Sequence, residues 1–238
     1  MSIGIGQHGT KASAATTDAS ASPTTTGSTL VVCVGWYTFS NVSLDSVTDN
    51  KGNTYTRLQS TVNAGADANM RGGVFICQNA TGGSGHTFTA NWSATPDAMG
   101  IDWLEVTGAA SASLDQGPAG KSDTHDSTTP YTSNTTGTTT QAAELVVAAL
   151  QSYTTTSDTE SFTWGNSFTK LDEQTDPNAW TSTTGYRIVS STGTFQSSVT
   201  CSGGTPTDGI SFIMTFKEAA GGGGATVPKF RALLGVGA

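Results

Sequence analysis

Two stretches in the two halves of this sequence run in parallel. "TTTGSTLVVCVGWYT" at 24–38 is answered by "TTTQAAELVVAALQSYT" at 138–154, and each is followed by an aromatic-Thr-basic-Leu segment, Tyr55 to Leu58 and Phe168 to Leu171. The order continues: "GGVFICQNATGGSGHTFTANW" matches "GYRIVSSTGTFQSSVTCSG", and "MGIDWLEVTG" matches "DGISFIMTFK", which sets Gly100, Ile101 and Trp103 against Gly209, Ile210 and Phe212. Recurrence of a whole order of segments means one folding unit used twice.

The unit is built of strands. Its apolar segments are short, β-branched or alternating, and are bounded by Gly, Asn, Asp, Ser and Thr; before the final residues no stretch keeps apolar spacing of helical period over three turns. About five strands are expected per half. Either half alone offers few large core residues, so two half-cores pressed together bury far more than two small cores apart. The expected fold is therefore all-β: one antiparallel β-sandwich of jelly-roll type, its two sheets related by an approximate internal two-fold, in preference to two tandem sandwiches. It would occupy 1–218, with repeats at 24–108 and 138–217. Trp36, Ile101 and Trp103 are expected in the core, as are Ile210, Phe212, Met214 and Phe216, which share one strand face. In "VTDNKGNTY", Asp49, Gly52 and Asn53 are expected to form a tight hairpin turn, with Gly and Asn at positive φ.

Composition narrows the partners. Charged residues make up 12% of the chain, against a usual share of about 25%, so the surface is hydroxyl-rich and charge-poor. A net charge of -8 argues against a phosphate-backbone partner, which depends on clustered Lys and Arg. The first residues have neither a basic region nor an apolar region of the secretory kind, and no apolar run is long enough to span a bilayer. Synthesis in the cytoplasm without a membrane anchor is the expectation. Cys33, Cys77 and Cys201 lie in strand-like apolar runs with no metal or disulfide spacing, which fits buried free thiols.

Few residues suggest chemistry. His8, His86 and His125 have no metal-ligand spacing, and Asp123, His125 and Asp126 fall in a Ser/Thr/Asp loop of the kind that forms solvated turns. "DNKGN" places oxygens at alternating positions but lacks the bidentate Glu of a calcium loop. Asp172, Glu173 and Asp176 are too close in sequence to be read as carboxylates held across a cleft. The expectation is no catalytic residue, no metal and no cofactor. Trp92, Trp164 and Trp180 lie beside expected loops and are candidate glycan contacts; the alternative for such aromatics is core or protein interface.

The last residues differ from the rest. Four glycines at 221–224 lie in a linker, 219–225, with a root-mean-square span of about 11 Å. The segment 226–238 then carries Val227, Lys229, Phe230, Arg231, Leu233, Leu234 and Val236. As a helix it would align Phe230, Leu233 and Leu234; as a strand, Phe230, Ala232, Leu234 and Val236. Burying five such side chains is worth roughly 8–15 kcal/mol gross, and ordering about a dozen residues costs a similar amount. One tail binds marginally, whereas repetition in an assembly or pairing with a sheet edge tips the balance. A docking peptide is expected.

The order "LVVCVGW … VTDNKGNTYTRL … LEVTG … LDQG … AELVVAAL" resembles a β-sandwich module of tailed-bacteriophage virion proteins, also seen in some bacterial surface proteins, over most of 1–218. The resemblance implies a structural or adhesive role on a particle or cell surface; together with the low-charge all-β body and the tail, the expectation is a non-enzymatic virion protein, a decoration, fibre or tail-associated subunit. Its partners would be other capsid or tail proteins and further copies of itself, with host surface glycans as additional ligands. The competing expectations are a carbohydrate-binding adhesin and a self-assembling filament that exchanges tail strands.

Overall fold

The computed structural model describes residues 2–12, 17–63, 69–124, 130–154, 160–176, 180–203 and 206–220. The first half comprises β1 (Gly4–Ala12), β2 (Thr17–Ala19), β3 (Thr29–Tyr37), β4 (Leu44–Asp49), β5 (Thr56–Asn63), β6 (Met70–Cys77), β7 (Thr87–Trp92) and β8 (Ala98–Thr107). A linking strand, β9 (Ala109–Gln116), follows. The second half comprises β10 (Lys121–Thr124), β11 (Tyr131–Thr132), β12 (Ala143–Thr154), β13 (Ser161–Trp164), β14 (Thr169–Asp176), β15 (Trp180–Ser190), β16 (Ser198–Ser202) and β17 (Pro206–Glu218).

The halves have the same topology. Large sheets run β1-β8-β3-β6-β5 and β10-β17-β12-β15-β14, and small sheets run β2-β7-β4 and β11-β16-β13, with β9 added to β17. All pairings are antiparallel. The expected all-β sandwich of two similar halves is what the chain forms, but with four sheets in place of the expected two, a large and a small one in each half, and with eight strands per half rather than about five. The additional strands are short or polar ("TDA", "YT", "SFTW"), and β1 and β10 precede the repeat boundaries read from the sequence.

Three layers of core hold the sheets together. In the first half, Leu30, Val32, Val34 and Trp36 of β3 pack with Leu44, Val47, Phe75, Phe88, Ile101 and Trp103 beneath the small sheet. Val31, Cys33 and Tyr37, from the other face of β3, join Val74, Ile76 and Leu104 against Leu145, Val147, Ile210, Phe212, Met214 and Phe216 of the second half. The third layer lies under the second small sheet, where Tyr131, Leu150, Phe162 and Val199 form one cluster and Val146, Ala148, Phe168 and Ile213 another. Because β3 is buried on both faces along its whole length, its sequence does not alternate. The three cysteines are free and buried, and burial raises the pKa of each thiol; for Cys201, with Glu160 and Glu173 adding to the effect, it reaches about 11.

Tyr37 and Tyr153 mark the internal two-fold. Their rings stack on each other at 4.0 Å and 8°. Counting from them, Gly100 stands opposite Gly35 on β3, and the residue opposite Gln151 on β12 is Ile210. Gly100 is thus equivalent to Ile210, one position away from the match suggested by the sequence. A one-residue offset exchanges the faces of a strand: Ile101 and Trp103 enter the first half's own core, while Ile210 and Phe212 enter the shared one.

Trp180 fills the space left by Gly35 and Gly100. A Cβ on either glycine would collide with its indole. Gly100→Val is expected to lower stability by about 1–3 kcal/mol through overpacking, measured as a lower denaturant midpoint at unchanged m; an unaltered midpoint would contradict the assigned fit.

Candidate functional site

Asp49 ends β4 and organises the connection to β5. Its Oδ1 accepts the backbone N–H groups of Lys51 and Asn53, each at 3.0 Å, and its Oδ2 accepts Asn53 Nδ2 at 2.7 Å and the Tyr55 hydroxyl at 2.8 Å. Burial pushes this carboxyl up, but the bonds from Asn53, His86 and Tyr55 together outweigh it and hold the pKa below the usual range. Of the three turn residues, Gly52 has positive φ, at 74°. The loop is not the expected hairpin, because β4 lies in the small sheet and β5 in the large one; it arches between layers and is held by side chains. Asn50 Oδ1 accepts Thr87 N–H and Asn53 Oδ1 accepts Thr81 N–H. The loop oxygens that suggested calcium are therefore engaged with hydrogen-bond donors.

The same carboxylate reaches a histidine that sequence reading did not connect to it. His86 Nε2 lies 2.8 Å from Asp49 Oδ2, and His86 Nδ1 lies 2.7 Å from Thr24 Oγ1. The hydroxyl oxygen of Thr24 also accepts Gly83 N–H at 3.2 Å, leaving its proton for Nδ1 and the imidazole proton for Asp49. A hydroxyl–imidazole–carboxylate series is also the arrangement of nucleophilic hydrolases. Here the His86 and Asp49 side chains are fully buried, and His86 stacks on Phe88, which stacks on Trp103. The series clamps the β2–β3 connection to the small sheet. Its partners are far apart in sequence, so spacing could not reveal it.

A second buried carboxylate joins the halves. Asp102 on β8 accepts Ser182 Oγ at 2.8 Å, the Thr10 hydroxyl and Gln151 Nε2, and Gln151 Oε1 accepts Trp180 Nε1 at 3.1 Å. Burial raises the Asp102 pKa to about 7; Asp172 adds to this, and the hydrogen bonds from Thr10, Ser182 and Gln151 offset part of it. Near this contact His8 Nδ1 of β1 lies 2.7 Å from Asp172 Oδ2 of β14. Asp172 and Glu173 point apart: Glu173 accepts Phe162 N–H at 3.0 Å and pairs with Lys170 at 2.7 Å.

The three tryptophans proposed for glycan contact differ. Trp180 is completely buried between the halves, which corrects its reading as a loop-side contact: its indole faces are covered by protein. Trp164 is half-buried, packs near Phe168 and donates Nε1–H to Thr183 Oγ1 at 3.0 Å. Trp92 is half-buried, meets Trp36 edge to face at 5.1 Å, and lines a shallow depression of about 320 Å³ with Thr89, Asn91 and Thr95.

The described chain ends in a fastened exit. Ala219 N–H donates to Gly108 O at 2.9 Å, Ile3 N–H to Glu218 Oε1 at 3.3 Å, and Gln141 Nε2 to Glu218 O at 3.3 Å. Beside it lies a depression of about 360 Å³ lined by Thr25–Ser28 and Thr107–Ala109. Buried Glu144 sits nearby with its pKa raised to about 7, by burial first and by Asp115 besides. Val227, Lys229, Phe230, Arg231, Leu233, Leu234 and Val236 lie outside the described residues, as do His125 and Asp126. Among the described residues no three His, Cys, Asp or Glu side chains converge as a metal site, and no helix is long and apolar enough to cross a membrane.

No protein-family model matches the chain, no curated protein is significantly similar to it, and no solved structure matches it at the same level of significance.

For Asp102, with a folded pKa above its unfolded value, the stabilising contribution is complete below about pH 4 and is lost as pH rises through about 7. Relative to Asp102→Asn, the wild-type protein is expected to lose about 1–4 kcal/mol of stability between pH 4 and 8. Denaturant midpoints across that range measure it, and a constant difference between the two proteins would refute the assignment.

Proposed function

We propose that the protein is a non-enzymatic structural subunit of a tailed-phage virion, anchored by the segment 226–238. The observation that carries this reading is the fastened exit. The scaffold ends at Glu218 and Ala219, held by Ile3, by Gly108 and by Gln141, and is followed by four glycines and an apolar, basic peptide. A rigid body, a short joint and a sticky terminus are the parts that a tethered particle component needs. The strand order within each half, 1-8-3-6-5 over 2-7-4, supports a jelly-roll winding. The charge-poor, three-core body suits a component exposed outside the cell. Its location would be the virion after synthesis in the host cytoplasm, with capsid or tail proteins and other copies as partners.

The competing reading is an adhesin that binds host glycans. Its remaining support is the depression at Trp92, where a half-buried indole lies among Thr89, Asn91 and Thr95, a pairing of apolar face and hydroxyl or amide groups suited to a sugar ring.

Removing residues 219–238 tests the first reading in the particle that carries the protein. The truncated chain is expected to keep its circular dichroism spectrum and to be absent from purified particles. Incorporation at the full-length level would defeat the tether. Soluble host polysaccharide binding that Trp92→Ala abolishes would favour the adhesin.

A further inference from the structure

One edge of the second large sheet is open. β14 accompanies β15 as far as Thr169 opposite Tyr186, whereas β15 continues beside β12 to Ser190, with Leu145 opposite Ile188. Arg187–Ser190 thus have a strand partner on one side only among the described residues. The equivalent place in the first half is closed, because β6 ends at Cys77 and β5 reaches its residue Ile76.

Exposed edges in natural sheets are usually short, charged or covered, since their free N–H and C=O groups recruit other strands. This one instead presents Ile188, which is 57% exposed, beside a depression of about 230 Å³ lined by Arg187–Thr192 and Phe195. The Arg187 guanidinium is turned away, over the Phe195 ring at 5.6 Å and onto Asn166 O at 3.2 Å. Among the described residues, the edge therefore joins backbone with no strand partner on its outer side to an apolar side chain.

We propose that this edge receives, as an added strand, the C-terminal segment 226–236 of a second copy of the chain. The inference rests on the reading of that segment as a docking peptide and adds its acceptor. Over 229–232 the tail alternates basic and apolar residues, and as a strand it would put Phe230, Ala232, Leu234 and Val236 on one face and Val227, Lys229, Arg231 and Leu233 on the other. The apolar face meets Ile188, and the basic face meets a protein of net charge -8. Position favours a neighbour over the tail's own subunit. Glu144 of β12 pairs with both Val189 and Lys217, so the tail leaves from the end of the sheet where the open edge lies. At that point, however, Ala219 is tied to Gly108, on the β9 side and away from β15. From Ala219, which continues β17, to the outer side of β15 is three inter-strand steps, about 14 Å, beyond the roughly 11 Å mean span of the glycines. Donor and acceptor are different surfaces, so the contact is head-to-tail and propagates into rings or filaments.

Sedimentation velocity of the full chain over a concentration series, with Ile188→Lys and Leu234→Asp alongside, tests this. The wild type is expected to form oligomers that grow with concentration, and each variant to weaken association about tenfold or more with an unchanged circular dichroism spectrum. When Ile188→Cys copies are mixed with Leu234→Cys copies, disulfide-linked pairs should form, and at high dilution a chain carrying both changes should not close on itself. A wild type monomeric throughout, an Ile188→Lys variant that associates normally, or intrachain closure would each overturn the proposal. Self-association through this edge in a protein that enters particles without its tail would sink the docking role alone. Tail-dependent entry with normal association of Ile188→Lys would sink the acceptor alone.

Discussion

Each large sheet in this protein is covered on both faces, by a small sheet on one side and by the other half on the other. Most of the architecture follows from that double burial. A strand covered on both sides cannot alternate polar and apolar residues, which is why β3 reads "TLVVCVGWY" and why "LVVAAL" recurs in β12. The buried carboxylates Asp49 and Asp102 sit where hydrogen bonds satisfy them. Burial in the shared layer raises the proton affinity of Asp102, and the bonds it accepts from the Thr10 and Ser182 hydroxyls and the Gln151 amide offset part of that rise. Bulk is placed with equal care: the two glycines opposite each other on β3 and β8 leave room for one tryptophan from the other half.

The sequence made the class and the duplication legible, because local composition and the order of segments carry them. Trp103, Phe212 and Met214 could be assigned to cores from strand alternation, and Trp36 from the area that a large aromatic buries. The face on which the second copy lies could not be read. Leu, Val and Ile serve equally on either face of a doubly covered strand, so matching Gly100 with Gly209 looks better than the true equivalence with Ile210. Short strands such as "YT" have too few residues for any period to register. Trp180 was placed with the loops because Asp, Pro and Asn precede it; nothing local shows that Gly35 and Gly100 make a slot for it. The clamp from Asp49 through His86 to Thr24 joins residues far apart in the chain, and such contacts leave no spacing to find.

The function proposed here depends on a division of labour within one chain. Buried layers make the body stiff, and the bonds at Ile3, Gly108 and Gln141 carry that stiffness to the point where the glycines begin. The sequence that follows is four glycines and then the apolar, basic segment 226–238, which on the proposed function begins its reach from that one end of the body. The end of β15 that has no outer strand partner among the described residues lies at that same end of the sheet, which is the placement that the proposed tail exchange between copies uses.

The shared layer is the claim on which the rest stands, and equilibrium unfolding followed separately in each half tests it most directly. Fluorine resonances of labelled Trp103 in the first half and Trp164 in the second report the two parts in one sample. If the middle layer binds the halves into one cooperative unit, both signals change at the same denaturant concentration. Two separated transitions, with one half remaining folded after the other is lost, would contradict it.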